Sequence, residues 1–349
     1  MTDVSDFTPV NILTGFLGSG KTTLLQRLLM DSALADTAVL INEFGEIGLD
    51  HHLLERLDAQ TVLLQSGCLC CTIRGEMAEA MRDLYSRRER GLVPRFRRLV
   101  IETTGLADPF PVVTTINAEP VLKHHFRLGN VITTVDAVNG RRQLERHDES
   151  IKQIALADRI VITKTDIVEA TEVAALDRWI RRLNPAAPMY RAAEDALDGA
   201  TLLARDSFDL AVERTALRCW FGADIPSSVR EQSNGHTHHL RNHHSEDIRA
   251  FALLFEQPLD WTMFGVWLSM LLNHYGDRIL RVKGIVAVAG ESAPVAIHGV
   301  QHLVHSPIHM RAWPDEDHRS RIVFIVQGLD QAKIERSLQT FLGHQAAMT

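Results

Sequence analysis

The sequence predicts an α/β fold with a mostly parallel, doubly wound sheet, followed by a small α+β domain. Short apolar segments alternate with helical segments over residues 10–195, which is typical of a parallel sheet whose crossovers are helices. A second set of strand and helix patterns begins at residue 248, and the stretch before it lacks a hydrophobic period. We therefore predict a phosphate-loop nucleotide domain over residues 1–215, a linker over 216–247 and a second domain over 248–349.

The first apolar segment runs into a glycine-rich loop that is followed by a helical pattern. This loop fits the phosphate-binding pattern G-x-x-x-x-G-K-[ST] at every fixed position, and the flanking strand and helix supply the required context. Lys21 is predicted to reach the terminal phosphates, and the Thr22 hydroxyl to bind Mg²⁺. The residues predicted to contact nucleotide here are Gly15, Phe16, Leu17, Gly18, Ser19, Gly20, Lys21, Thr22 and Thr23.

Two later strands end in residues that suit a nucleotide site. Glu102 and Gly105 follow one apolar run, where an acid helps to hold Mg²⁺ and a backbone N–H meets the γ-phosphate. Lys164 and Asp166 follow another, where the lysine stem covers a base and the carboxylate accepts guanine N–H groups. Thr163 stands where the common guanine motif N-K-x-D has asparagine, which weakens the guanine interpretation from the pattern alone.

The polar segment 42–50 follows the second strand and contains Glu43 and Glu46. In a phosphate-loop protein such a segment senses the γ-phosphate and Mg²⁺ and changes conformation when they leave. A solvated acidic loop without that function is the alternative, and the spacing of the carboxylates does not separate the two.

Cys68, Cys70 and Cys71 follow the third strand. The first two lie on one side of an extended chain, and the third joins them where the chain turns into the next helix. Three thiolates supply three ligands of a tetrahedral Zn²⁺ site and leave one position open, which suits transfer better than permanent structure. Buried, inert cysteines are the alternative. A disulfide framework is not expected from four cysteines of which three are clustered.

Histidines cluster in the predicted linker and recur in the second domain. We predict a flexible loop that loads metal weakly, with a purely hydrophilic linker as the alternative. The histidines of this loop are His236, His238, His239, His243 and His244. A second metal patch from His298, His302, His305 and His309 is a weaker hypothesis, because single histidines are usually structural.

Composition excludes several classes of function. The chain has 349 residues, and 37 basic against 44 acidic side chains give a net charge of −7, so no nucleic-acid partner is expected. No apolar run reaches the length of about 18 residues that a membrane span needs, so no membrane association is expected. The first nine residues lack the apolar core of a signal peptide. Together with the free-thiol pattern, these features predict a cytoplasmic protein.

The motifs occur in the order G-F-L-G-S-G-K-T-T, N-E-F-G-E, G-C-L-C-C, E-T-T-G-L-A-D-P and T-K-T-D. In this order, and over nearly its whole length, the chain resembles the CobW-type family of metal-handling GTPases, in particular its YjiA-like branch. The resemblance implies a SIMIBI-class nucleotide domain, a CobW-type C-terminal domain and GTP hydrolysis to GDP coupled to delivery of a metal, most often Zn²⁺, to a client metalloenzyme. Thr163 also has counterparts in YjiA-like members, which favours GTP. Intrinsic turnover is expected to be slow, because no arginine finger is evident.

Three alternatives remain open at this stage. The cargo would be Co²⁺ for cobalamin synthesis, or iron or cobalt for a nitrile hydratase, since thiolate and imidazole ligands suit Zn²⁺ but also accept Co²⁺. Alternatively the chain is a metal store or sensor with a vestigial GTPase. A small-molecule kinase is a weaker alternative, because that activity would leave the cysteine motif without a function. The sequence specifies neither the client nor the oligomeric state.

Overall fold

The computed structural model describes residues 7–41, 62–65, 73–193, 197, 199, 202–203 and 248–343. The chain divides into two compact units. The first comprises Met1–Leu176 and Pro188–Ser207, and the second comprises Asp177–Ala187 and Phe208–Thr349.

The first unit is built on one seven-stranded sheet in which every pairing is parallel, in the order β3-β2-β4-β1-β5-β6-β7. β1 lies between β4 and β5, which is the point where the chain passes from one half of the sheet to the other; ligands bind at such points in open α/β sheets. The predicted parallel, doubly wound sheet is confirmed. Its strands are β1 (Thr8–Gly15), β2 (Thr37–Ile41), β3 (Val62–Gln65), β4 (Arg98–Glu102), β5 (Phe126–Asp136), β6 (Arg159–Thr163) and β7 (Met189–Arg191).

Helices connect these strands, as the alternation of sequence patterns predicts. They are α1 (Lys21–Leu29), α2 (Ile73–Glu89), α3 (Phe110–Ala118), α4 (Leu122–His125), α5 (Gly140–Arg146), α6 (Asp148–Leu156) and α7 (Ala170–Leu183). The apolar face of α1 packs on the centre of the sheet through Leu24, Leu25 and Leu28, which are buried with Leu13 and Ile132 of β1 and β5. This contact fixes the start of α1, and therefore the glycine loop, against the end of β1.

β5 is longer than its sequence pattern indicates. The apolar run predicts a strand from Asn130, yet β5 begins at Phe126 and passes through a register shift against β1. The Asn130 N–H donates to the Asn11 side-chain oxygen at 2.9 Å, which replaces a backbone partner at the irregularity. A side chain at Gly129 would lie 2.7 Å from that same Asn11 oxygen, so glycine lets the two strands approach.

The second unit contains an antiparallel sheet in the order β11-β10-β9-β13-β8, with β12 paired to β10. Its strands are β8 (Ile248–Phe255), β9 (Ile279–Val286), β10 (Val295–Val300), β11 (Leu303–Val304), β12 (Ile308–His309) and β13 (Ser320–Gln327). Two helices, α8 (Trp261–Tyr275) and α9 (Gln331–Gly343), pack on one face of this sheet. The predicted α+β domain is confirmed.

The predicted helix start at Asp260 is also confirmed, because the Asp260 carboxylate accepts the Met263 N–H at 2.8 Å. Phe264, Leu268 and Leu271 of α8 are buried in the core of this unit, as their spacing predicts. Within the described parts of the chain, no helix combines the length and apolar character needed to cross a bilayer.

The histidines of the second unit do not form the hypothesised metal patch. The rings of His298 and His305 stack with centroids 4.6 Å apart. The two ring nitrogens of His302 instead contact the Leu272 carbonyl at 2.9 Å and the Asp277 carboxylate at 3.0 Å. Across the described residues, no group of three or more potential metal-ligating side chains comes together. The patch hypothesis was wrong because His302 binds the end of α8.

Candidate nucleotide-binding site

The glycine loop rests on the end of β5. Gly15 has a φ of 142°, and a Cβ atom there would lie 2.5 Å from the Thr134 carbonyl oxygen and 2.7 Å from the Ser19 hydroxyl. The Ser19 and Thr134 hydroxyls are hydrogen-bonded at 2.6 Å and both are buried. Only glycine fits this contact, and the loop is therefore held down by the neighbouring strand.

Lys21 is the first residue of α1, and its side chain folds back over the loop. Its ammonium group donates to the Phe16 carbonyl at 3.2 Å, and the residue is largely buried. The first N–H groups of α1 point towards the same loop, because a helix leaves its N-terminal donors without partners inside the helix. Positive charge and N–H donors thus converge where a phosphate group would bind.

Thr22 and Glu102 meet, although 80 residues separate them in sequence. The Thr22 hydroxyl donates to Glu102 Oε1 at 2.6 Å, and the Glu102 side chain is buried at the end of β4. A hydroxyl and a carboxylate side by side are the hard oxygen ligands that Mg²⁺ prefers beside phosphate groups. The two residues predicted to hold Mg²⁺ are therefore chemically suited to it and adjacent.

The turn after β4 touches the phosphate loop. Thr103 continues the strand pairing, since its N–H donates to the Leu13 carbonyl at 2.9 Å. Gly105 follows and is buried, and a Cβ atom there would lie 2.6 Å from the Leu17 nitrogen. Any other residue would push the two segments apart. Gly105 therefore lies beside the loop, as a γ-phosphate contact requires.

The end of β6 also binds the loop. The Thr163 hydroxyl donates to the Ser19 carbonyl at 2.8 Å, and Lys164, in the left-handed region with φ 59°, donates to the Gly18 carbonyl at 2.9 Å. The threonine in place of asparagine thus has a defined contact with the loop. Asp166 lies in the following single helical turn and is exposed.

Asp136 was missed from sequence. It ends β5 and is buried, and its Oδ2 accepts from the Lys164 ammonium at 2.8 Å and from Asn139 at 3.0 Å. Burial by itself would raise the pKa of Asp136, but the hydrogen bonds from Lys164, Asn139 and the Val138 N–H outweigh it and lower the pKa below its usual value. The carboxylate is therefore charged at neutral pH. An acid at the end of an apolar strand pattern, as at Glu102, is the signal that would have indicated it.

Replacing Asp136 with asparagine is expected to weaken GDP binding by about tenfold, because Lys164 loses the charge that holds it beside the loop. The control is Glu145→Gln, which removes the exposed Arg141–Glu145 ion pair (3.3 Å) near the same edge. Titration with a fluorescent GDP analogue measures both variants. Equal affinities for Asp136→Asn and the parent chain would contradict a role of this ion pair in nucleotide binding.

Several predicted site residues lie outside the described part of the chain. They are Glu43, Glu46, Cys68, Cys70, Cys71, His236, His238, His239, His243 and His244. Their roles remain predictions. The described residues nevertheless bring together, at one edge of the sheet, the phosphate loop, Thr22, Glu102, Gly105, Thr163 and Lys164.

A strand, glycine loop and helix at the centre of a parallel sheet, with a lysine and a hydroxyl–carboxylate pair, define a phosphate-loop nucleotide-binding protein. A family model described as "CobW/HypB/UreG, nucleotide-binding domain" matches residues 9–191. Another, described as "Cobalamin synthesis protein cobW C-terminal domain", matches residues 248–342. The chain belongs to the CobW/HypB/UreG family.

Relatives over most of the chain carry zinc-related names. "Zinc chaperone YjiA" of Escherichia coli (strain K12) is 34% identical, and the match covers 93% of this chain and 96% of that protein. "Zinc-regulated GTPase metalloprotein activator 1" of Schizosaccharomyces pombe is 31% identical, over 80% of this chain and 72% of that protein. The crystal structure of Zn(II)-bound YjiA GTPase from E. coli matches with a TM-score of 0.72 and 29% identity, covering 96% of this chain and 99% of that one.

Proposed function

We propose that this chain is a GTP-hydrolysing zinc metallochaperone, which binds Zn²⁺ through Cys68, Cys70 and Cys71 and transfers it to a client metalloprotein. The observation that carries the proposal is the contact between Thr22 and Glu102 beside the phosphate loop, in a chain that also has the C-x-C-C motif. The relatives named as a zinc chaperone and a zinc-regulated GTPase support the choice of cargo and reaction.

The phosphate groups of GTP bind to the loop and the start of α1, with the Lys21 ammonium turning from the Phe16 carbonyl to the terminal phosphates. Thr22 and Glu102 would hold Mg²⁺, which, when bound, supplies a positive charge that offsets the charge of the transferring phosphoryl group. Gly105 lies beside the loop, so its N–H is suited to contact the γ-phosphate. We take the nucleotide to be GTP, because Lys164 and Asp166 are suited to contact a guanine base.

The sheet register supports a connection between nucleotide and metal. Ile41 at the end of β2 pairs with Gln65 of β3 on one side and with Glu102 of β4 on the other. Neighbouring strands are about 4.8 Å apart, so Gln65 lies roughly 10 Å across the sheet from Glu102. β3 therefore ends at the edge that carries the phosphate loop, and Cys68 follows Gln65 by three residues in the sequence.

We expect the segment 42–50, which starts at the same edge, to couple the two sites. With GTP bound, Glu43 and Glu46 would belong to an ordered segment, and the cysteine site would close on Zn²⁺. Loss of the γ-phosphate removes the contacts that order this segment, and the thiolates then become accessible to the client. Because linkage is reciprocal, Zn²⁺ must tighten GTP binding by the same factor as GTP tightens Zn²⁺ binding.

The experiment compares Zn²⁺ affinity with GDP and with a non-hydrolysable GTP analogue. We expect the analogue to tighten Zn²⁺ binding by about tenfold, within the usual range of coupling energies, and Cys70→Ala to abolish the difference. Cys219→Ala is the matched control, since it removes the one cysteine outside the motif. GTPase rates are measured on the same proteins with and without Zn²⁺.

Three outcomes would contradict the proposal. Identical Zn²⁺ affinities with both nucleotides, and a GTPase rate that neither Zn²⁺ nor Cys70→Ala changes, would favour a metal store or sensor with a vestigial GTPase. A marked preference for Co²⁺ over Zn²⁺ in the nucleotide-coupled site would change the cargo. Many weakly bound ions that depend on the histidines of residues 236–244 would indicate storage.

A further inference from the structure

Gln153 holds the turn that follows β4. It lies on α6 and its side chain is buried, with 1% of the residue exposed. Its Nε2 atom donates to the Gly105 carbonyl at 3.2 Å and to the Ala107 carbonyl at 3.0 Å. Because both partners are acceptors, the NH₂ end of the amide must face them, and each of its two N–H groups has one carbonyl.

This contact sets the orientation of a peptide group beside the phosphate loop. The described backbone has no cis peptide bond, so the Leu106 N–H points away from the Gly105 carbonyl that Gln153 holds. On its other side, Gly105 lies against Leu17, where a Cβ atom would be 2.6 Å from the nitrogen. The turn is therefore held between α6 and the loop, with the Gly105 and Ala107 carbonyls towards α6.

The backbone of α6 at Gln153 also contacts a neighbouring strand. Its backbone carbonyl accepts from the buried Thr133 hydroxyl of β5 at 2.8 Å. Next to it, Lys152 forms an ion pair of 3.4 Å with Asp108, whose carboxylate also accepts the Phe110 N–H at the start of α3. Two adjacent residues of α6 thus contact the turn between β4 and α3.

We infer that Gln153 is a positioning residue for GTP hydrolysis: it holds the Gly105 carbonyl on α6, so that the Leu106 N–H, and not the Gly105 carbonyl, faces the γ-phosphate. The inference rests on the proposed GTPase function. If these carbonyls were released, a rotation of the peptide group would bring an acceptor oxygen towards a phosphate oxygen, and the two would repel each other. GDP lacks the γ-phosphate, so its binding does not depend on this alignment.

The test uses the full chain with Gln153→Met, which keeps the side-chain length and removes both donors, and Gln153→Glu, which places acceptors against the two carbonyls. We expect the single-turnover rate of GTP hydrolysis with Mg²⁺ to fall about tenfold in the first variant and further in the second. A tenfold fall corresponds to the loss of about one neutral hydrogen bond. GDP affinity is expected to stay within about twofold of the parent, because GDP has no γ-phosphate to contact the turn.

Thr133→Val is the matched control, because it removes the bond to the Gln153 backbone and leaves the amide and the turn in place. It is expected to lower thermal stability while keeping the parent rate.

Gln153 variants with the parent rate, or with GDP and GTP affinities reduced equally, would overturn the inference and leave the proposed function intact. Loss of GDP binding in both variants would overturn it as well, because Gln153 would then support the whole fold. A parent chain that does not hydrolyse GTP would refute the proposed function itself.

Discussion

Replacing Glu102 with glutamine is expected to slow GTP hydrolysis by about 100-fold and to shift the Mg²⁺ dependence of the rate to higher concentrations. Glutamine keeps the shape of the side chain and an oxygen that can accept from the Thr22 hydroxyl. The 2.6 Å hydrogen bond in the structure can therefore be kept with an uncharged acceptor. What is lost is the negative charge, which is the main attraction of this pair for a divalent cation.

The measurement is the single-turnover rate across a Mg²⁺ titration. Thr103→Val is the control, because Thr103 is the next residue, is equally buried, and donates its hydroxyl to Thr14 at 2.9 Å rather than to the site. It is expected to cost about 1 kcal/mol of stability and to leave the Mg²⁺ dependence unchanged. A Glu102→Gln variant with the parent Mg²⁺ dependence would exclude Glu102 from the metal site.

Local pattern was sufficient to predict Glu102 and the phosphate loop. Glu102 and the phosphate loop were predicted independently, each from the residues that follow an apolar run. They come together because the carboxyl ends of parallel strands share one edge, which the fold class already implies. The same argument predicts that the segments after β2 and β3 leave from this edge.

Contacts between distant side chains were not predictable in the same way. Gln153 lies inside a helix pattern, where a buried glutamine has no signal of its own, and its partners are 46 and 48 residues away. Asp136 acquires its role only because Lys164 adopts a left-handed conformation that brings its ammonium group back over β5. The start of β5 was misplaced because Gly129 and Asn130 have the composition of a turn, whereas the Asn11 side chain stabilises an irregular strand there.

Gly15→Ala is expected to abolish nucleotide binding and to destabilise the first unit by about 3 kcal/mol. Two costs add. The φ of 142° is rarely adopted by a residue with a side chain, and the new methyl group would lie 2.5 Å from the Thr134 carbonyl. Because that oxygen belongs to the backbone of β5, it moves only if the strand moves. The loop must therefore lift from the sheet, and the N–H groups that should meet the phosphates turn away.

Gly91→Ala is the control that isolates backbone strain from steric clash. Gly91 has a φ of 68°, but a Cβ atom there would meet nothing within 4 Å. It is expected to cost about 1 kcal/mol and to leave nucleotide affinity unchanged. Thermal unfolding with and without GDP measures both variants, because a ligand that binds only the folded chain raises its stability. A contrary result would be a Gly15→Ala variant that GDP stabilises as much as it stabilises the parent. The phosphate site would then form without close contact between the loop and β5.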